Sequence, residues 1–279
     1  MNINHNYDIY NRKEPSIIYL ASPGKNVLCA INGIDSSSVS LEINTNNTTT
    51  LSFSVNKYIT KDIISNAYDS IEELMELYCD GIWFKIVDPP SISYDGLQET
   101  KEVTAESYEI TLSQYMLNDF KINVGDESSY NMIYKRNYDL NHEKNPNHDP
   151  DFDSGEYFSV TFYNPDCPDL SLLHLVLKHA GLENIWHIGY VDDTLSQDNT
   201  LSDEELNDPN LPSRYLRNAS YYYEVDNKSV YTFLTQEVSS SCRCIFEFDT
   251  VNMTINAYRP EGIGKDTELF LSFRNIQNN

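Results

Sequence analysis

In LEINTNNTTTLSFSV (41–55), Leu41 and Ile43 alternate with polar residues, and Leu51, Phe53 and Val55 alternate again after a polar run. Successive side chains on a strand face opposite ways, so two period-2 runs around turn-forming residues predict an antiparallel hairpin. The spacing then changes. Ile71, Leu74, Met75 and Tyr78 recur as on one helical face, with Asp69 or Ser70 placed to cap the start and Gly81 just past the end. A short helix is predicted there. IWFKIV (82–87) returns to a strand that Asp88-Pro-Pro stops, and Tyr94-Asp-Gly-Leu97 reads as a turn. KEVTAESYEITL (101–112) mixes β-branched and charged residues, as a half-exposed strand does.

Residues 123–157 are rich in Asn, Asp, Gly and His and poor in aliphatics, and predict a long polar excursion. DLSLLHLVLKHAGL (169–182) is apolar nearly all round, with Asp169 or Ser171 as cap and Gly181 as stop. A largely buried helix is predicted. WHIGYV (186–191) reads as a strand, and the acidic stretch 192–212 as a loop with one helical turn at Asp203–Leu206. LRNASYYYEV (216–225) is strand-like. Asp226 is placed to cap a helix over 227–239 whose Val230, Phe233, Leu234 and Val238 share a face.

CRCIFEFDTVNMTINAYRP (242–260) predicts a hairpin. On its first strand Cys242, Cys244, Phe246 and Phe248 share one face, and Arg243, Ile245 and Glu247 the other. After a tight loop at Asp249-Thr-Val-Asn252, Met253, Ile255 and Ala257 alternate with Thr254, Asn256 and Tyr258. The two sulfurs therefore lie with the phenylalanines, where free cysteine packs as a small hydrophobe. A Cys-x-Cys pair offers two thiolates to a soft metal, but no second pair completes four ligands, so core packing is the reading.

Composition narrows the function. The chain has 279 residues, 40% of them hydrophobic, with 21 tyrosines, enough for roughly one to two folded domains. Its formal net charge is −24, from 43 acidic and 19 basic residues. Such a surface repels phosphate backbones and anionic membranes, which argues against nucleic-acid binding. No apolar run reaches the roughly 18–20 residues of a membrane-spanning helix, and the first residues lack the apolar core of a signal peptide. Folding in a cytoplasm is expected. The five cysteines (Cys29, Cys79, Cys167, Cys242, Cys244) are odd in number and scattered, against a disulfide framework, and the sequons at Asn218 and Asn227 are then chance matches.

Asp149, Asp151 and Asp153 alternate as at the start of a calcium loop, yet the positions that need Gly and Glu hold Ser154 and Val160. A looser calcium loop stays open against a solvated loop. His174 and His179 are five apart on one helix and point to different sides, which suits packing better than zinc. Cys167 lies near His174 in sequence without any protease signature around it. Gly264-Lys265-Asp266 lacks Walker spacing and reads as a hairpin turn. Tyr221, Tyr222 and Tyr223 offer stacking surfaces for a sugar, or simply alternate between two faces of a strand. No catalytic, cofactor or metal residue is assigned, and no cofactor is expected.

The stretch VYTFLTQEVSSSCRCIFEFDTVNMTINAY followed by GKDTELFLSFRN resembles the N-terminal region of tail-associated, or minor structural, proteins of phages and prophages of Gram-positive bacteria. The matching residues are Phe246, Phe248, Asp249, Thr250, Ile255, Asn256, Gly264, Lys265, Asp266, Thr267, Ser272, Arg274 and Asn275. SLLHLVLKHAGLENIWHIGYVD (171–192) is similar to that family's Leu-rich helix and Trp-containing strand. DGIWFKIVD (80–88) with KEVTAESYEITLS (101–113) is similar to its first domain.

The resemblance implies an α+β fold, mainly β, of antiparallel β-barrel domains like those of tail tubes and baseplate hubs, with a few short helices. It implies a virion protein of the tail tip, a homotrimer made in the bacterial cytoplasm, with the distal tail protein, tape measure and tail tube as partners. Family members often carry further C-terminal parts, fibres or peptidoglycan hydrolases. This chain ends soon after its Ser272-Phe-Arg-Asn match, as a truncated or unusually short member would. The region itself is expected to be no enzyme. Two alternatives stand beside this: a receptor- or glycan-binding adhesin module, and part of a tail hydrolase or endopeptidase whose catalytic domain lies outside the chain. The expected organisation is a barrel-like domain over 1–122, an intermediate α+β region over 123–215, and a helix with hairpins over 216–279, part of a second or discontinuous barrel.

Overall fold

The computed structural model describes residues 16–44, 48–122, 129–130, 160–165, 168–196 and 221–260. The chain divides into two units: residues 1–112 with 248–253, and residues 113–247 with 254–279.

The first unit is built by alternation. Its strands are β1 (Tyr19–Ser22), β2 (Asn26–Ala30), β3 (Ser40–Glu42), β4 (Thr50–Asn56), β5 (Tyr58–Thr60), β6 (Ile63–Ile64), β7 (Glu76–Cys79), β8 (Ile82–Lys85), β9 (Ser91–Tyr94) and β10 (Glu99–Ser107). One antiparallel sheet runs β2-β1-β7-β8-β10-β4-β3, with β9 also on β10, while β5 and β6 form a small hairpin. The predicted hairpin at 41–55 is present, in register Leu41↔Leu51. Leu51, Phe53 and Val55 of β4 and Val103 and Ala105 of β10 point into one core with Ile18, Leu20, Leu77 and Phe84. Each such burial contributes roughly 1.5–3 kcal/mol. The structure is mainly β with a few short helices, and its described sheet is open rather than a closed barrel. β2 and β3, at the two ends of the order, do not pair. Closure needs edge strands that exchange a ladder, and β3 has only three residues.

The helix expected over 71–78 is not there. A single 3₁₀ turn, Tyr68–Ser70, precedes strand β7, which holds Tyr78. Leu74 has φ +70, outside any right-handed helix, and its N–H bonds Ile86 O while Ile86 N–H bonds Met75 O. Asp80 and Gly81 both take positive φ between the paired residues Cys79 and Ile82. They form the two-residue turn that Asp-Gly favours in hairpins. Gly81 is thus left-handed, as a helix stop would be, but it closes β7 onto β8.

β10 also buries charge. Lys101 sits on its inward face, 7% exposed. Its ammonium donates to Tyr68 O at 2.6 Å and Ile71 O at 2.9 Å and lies 4.7 Å from the Tyr68 ring centre. The two carbonyls and the ring face replace the lost water. Burial still holds the Lys101 pKa below its ordinary value, against the pull of Asp69, Glu72 and Glu99. Tyr68 donates to Glu99, and burial together with that bond pushes the phenol up to about 12.

The second unit holds β11 (Met116–Leu117), β12 (Phe120–Ile122), β13 (His187–Val191), β14 (Tyr223–Val225), β15 (Lys228–Ser229), β17 (Thr254–Tyr258) and all but the last two residues of β16 (Ile245–Asp249). β11 pairs with β15 and β12 with β14, both antiparallel, and β17 lies between β13 and β16. Helix α1 (Leu172–His179) lies within the predicted 169–182 span: Pro168–Leu170 is a separate 3₁₀ turn, Ser171 stands at the cap position without a side-chain cap bond, Leu172, Leu173, Leu175, Val176 and Leu177 are buried, and Gly181 is left-handed behind the helix. Helix α2, residues 230–242, starts three residues later than predicted. Asn227 turns left-handed, Lys228–Ser229 pairs as β15, and Ser229 rather than Asp226 caps the helix by accepting from Thr232 N. Its middle, Phe233–Val238, widens into π-helical turns. No helix among the described residues is long and apolar enough to cross a membrane.

Candidate functional site

The Phe-x-Phe-Asp-Thr stretch becomes a hairpin whose tip is held by hydrogen bonds. Cys242 ends α2 instead of starting the strand, because Arg243 turns left-handed at φ +49. Cys244, Phe246 and Phe248 remain on the buried face, and Ile245 and Glu247 on the other. The tip, residues 248–253, belongs to the first unit. Asp249 Oδ1 accepts from Val251 N and Asn252 N, and Oδ2 accepts from the Asn252 amide. Burial raises the Asp249 pKa, but these bonds outweigh it and leave it below the usual range. Met253, expected to continue the strand alternation, instead has φ +54 in the turn.

Thr250 is the anchor. Its Oγ1 accepts from Trp83 N in β8 at 2.9 Å, and its carbonyl accepts from Lys25 Nζ at 2.6 Å. Lys25 stands in the β1–β2 turn at φ +63, and its own N–H and that of Gly24 donate to the Glu76 carboxylate, which is 2% exposed. The ammonium lies 4.4 Å from the Tyr108 ring centre and 5.7 Å from that of Trp83, beside the Met253 sulfur. Burial lowers the Lys25 pKa, while Glu76 and Asp249 raise it. Every group here is engaged in holding the tip. Thr250→Val, which keeps shape and removes the acceptor, is expected to cost about 1 kcal/mol in urea unfolding followed by Trp83 fluorescence. An unchanged midpoint would remove Thr250 from this role.

Asn256, the second residue of the matched Ile-Asn pair, fills a bulge. β13 runs parallel to β17 with a register shift between Ile188 and Val191. Inside it Tyr190 N donates to Asn256 Oδ1 at 2.7 Å. Asn256 Nδ2 and the Tyr258 hydroxyl both donate to Glu247 Oε2, and the Tyr190 and Tyr258 rings stack at 5.1 Å.

His174 stacks on Tyr163 at 5.5 Å, and burial lowers its pKa. His179 instead bonds the Tyr130 hydroxyl at 2.8 Å and Asn118 O at 2.9 Å, so the two histidines do point apart. Burial pushes the Cys242 and Cys244 thiols up, which keeps them protonated and poor as nucleophiles. Among the described residues no group of three or more His, Cys, Asp or Glu is placed to hold a metal. Tyr222 is 67% exposed, whereas the Tyr221 hydroxyl bonds Leu195 O and that of Tyr223 bonds Ser241, so the three side chains alternate in exposure although only Tyr223 lies in a strand. Asp149, Asp151, Asp153, Cys167, Asn218, the turn at Asp203–Leu206 and the matched residues Gly264 to Asn275 lie outside the described residues.

Sequence reasoning missed Lys25, Lys101, Glu109 and Gly189. A signal existed for two of them. Positions 101, 103, 105, 107 and 109 continue one period-2 face, and Val103 and Ala105 mark that face as buried.

These elements define a mainly β protein with an open antiparallel sheet and locally braced hairpins. No family model matches the chain, and no curated protein matches it in sequence. Among solved structures it is similar to the prophage tail protein gp18 from Listeria monocytogenes EGD-e, at 13% sequence identity and a TM-score of 0.48 over 89% of this chain and 51% of that one. The chain thus spans about half the length of that structure.

Proposed function

We propose that this chain is a structural component of a phage or prophage tail tip, a baseplate-hub-like piece joining the tail tube to the host-contacting end, without catalysis of its own. One observation carries the reading. Three of the residues through which the sequence resembles tail-associated proteins brace the hairpin: Asp249 shapes its turn, Thr250 pins its tip and Asn256 plugs the neighbouring bulge. Side chains that hold the shape of a hairpin suit a protein that transmits force and position. A formal net charge of −24 fits a wall that DNA passes without adhering, since it repels phosphates.

Antibody labelling of particles from the bacterium that carries the gene tests the placement. Label at the tail tip is the expected result, and particles without label overturn it. The purified chain is expected to release no products from cell-wall preparations, and release would overturn the non-catalytic part. Light scattering over a concentration series is expected to give the mass of three chains.

A further inference from the structure

Glu109 is the one described carboxyl that combines near-complete burial with an unpartnered oxygen: it is 3% exposed, and its Oε2 has no hydrogen-bond partner among the described residues. It opens the 3₁₀ turn Tyr108–Gln114, directly after β10. Its other oxygen, Oε1, accepts from the Ser107 hydroxyl. Ser107 Oγ in turn accepts from Thr49 N at 2.8 Å, and Ser107 N donates to Thr49 O at 2.8 Å. Thr49 and Ser107 are themselves buried. A chain of bonds therefore runs from the start of β4 through Ser107 into a carboxyl that meets no counter-charge. Glu106, the charged group that acts on it, is also a carboxylate, and it is engaged by Thr48 Oγ1. Lys85 is the register partner of Glu106 on β8, Lys25 lies over the Tyr108 ring, and neither is among the groups that shift Glu109. The start of β4, Thr48 to Thr50, carries no charge.

We propose that Glu109 is a proton-operated latch: the turn Tyr108–Gln114 stays fastened to the start of β4 while the carboxyl carries a proton, and loosens once the proton is lost. A protonated carboxyl offers Oε2 as an O–H donor and buries no charge, whereas the carboxylate leaves a bare negative oxygen in the core. Burial pushes the Glu109 pKa up to about 7, beyond what the Ser107 hydroxyl and the backbone N–H groups of Glu109 and Thr49 offset, and Glu106 adds to the rise. The direction of the linkage follows. The folded value lies above the unfolded one of about 4.3, so the stabilisation is complete below about pH 4.3 and is lost as pH rises to about 7, after which it levels off.

The test is hydrogen exchange of the Ser107–Leu112 amides between pH 5 and 8.5, corrected for intrinsic rates. In the unaltered chain the opening constant is expected to rise up to about tenfold per pH unit between pH 5 and 7 and then flatten. In Glu109→Gln, which keeps the shape and cannot ionise, that rise should vanish. An equal rise in Glu109→Gln overturns the latch. Carbon-13 titration of the Glu109 carboxyl in the unaltered chain decides the matter even if the variant fails to fold. A midpoint near 7 supports the latch, and one near the ordinary 4.3 overturns it.

Discussion

Truncating Phe233 to alanine is expected to lower the stability of the second unit by about 3–5 kcal/mol. Phe233 is fully buried on the first π-helical turn of α2. Its ring meets Tyr223 edge-on at 5.1 Å and Phe120 edge-on at 5.8 Å. Phe120 also packs against Tyr130 and His179. Alanine there removes the ring that joins α2 to β12 and β14, and aromatic edges cannot follow a shrinking partner without losing their geometry. The cost combines lost transfer energy with a cavity that close-packed neighbours fill only in part. The chain's two tryptophans make the measurement local, since Trp83 lies in the first unit and Trp186, itself buried, in the second. With Trp83→Phe as background, the denaturant transition seen by Trp186 should move by the stated amount. A shift below about 1 kcal/mol would mean that the cluster is not the core of that unit.

Gly189→Ala should cost about 1–3 kcal/mol by overpacking. A Cβ at position 189 would fall 2.1 Å from Asn256 Oδ1 and 3.2 Å from the Thr254 side chain. Asn256 can retreat only by giving up the Tyr190 N–H and loosening its hold on Glu247. Asn256→Ala alone leaves the Tyr190 amide without that acceptor, which destabilises through a different loss. The double variant should therefore be more stable than the sum of the two single losses implies, because the clash disappears with the amide. Strict additivity in urea unfolding would show that the glycine is not there to admit Asn256.

What was legible follows from how far each signal reaches along the chain. The 41–55 hairpin, helix α1, the Asp95-Gly96 turn and the buried face of β16 all rest on residues within a few positions of one another. There the local period and the burial agree. The segment 71–78 misled because spacings of three and four also occur in a strand entered through a kink. Leu74 reached φ +70 through its pairing with Ile86, twelve residues away. The same Asp80-Gly81 pair suits a helix stop and a hairpin, and only the partner strand chooses.

For the candidate site the division is sharper. The hairpin, its Asp249 turn and the inward Cys244 were readable from alternation and turn chemistry alone, whereas Cys242 is buried from the end of α2. The roles of Thr250 and Asn256 were not, because each acts on a distant backbone N–H: Trp83, 167 positions away, and Tyr190, 66 positions away. The sequence by itself determined the mainly β character, the short-range turns and helices, the acidic surface and which faces are apolar. These are properties of single residues and of periods a few residues long. The tertiary structure alone decided that the sheet stays open, that Lys25 and Thr250 meet, and that Glu109 is sealed in without a counter-charge. Burial and pairing at such separations depend on which chain segments fold against each other, and no local period records that.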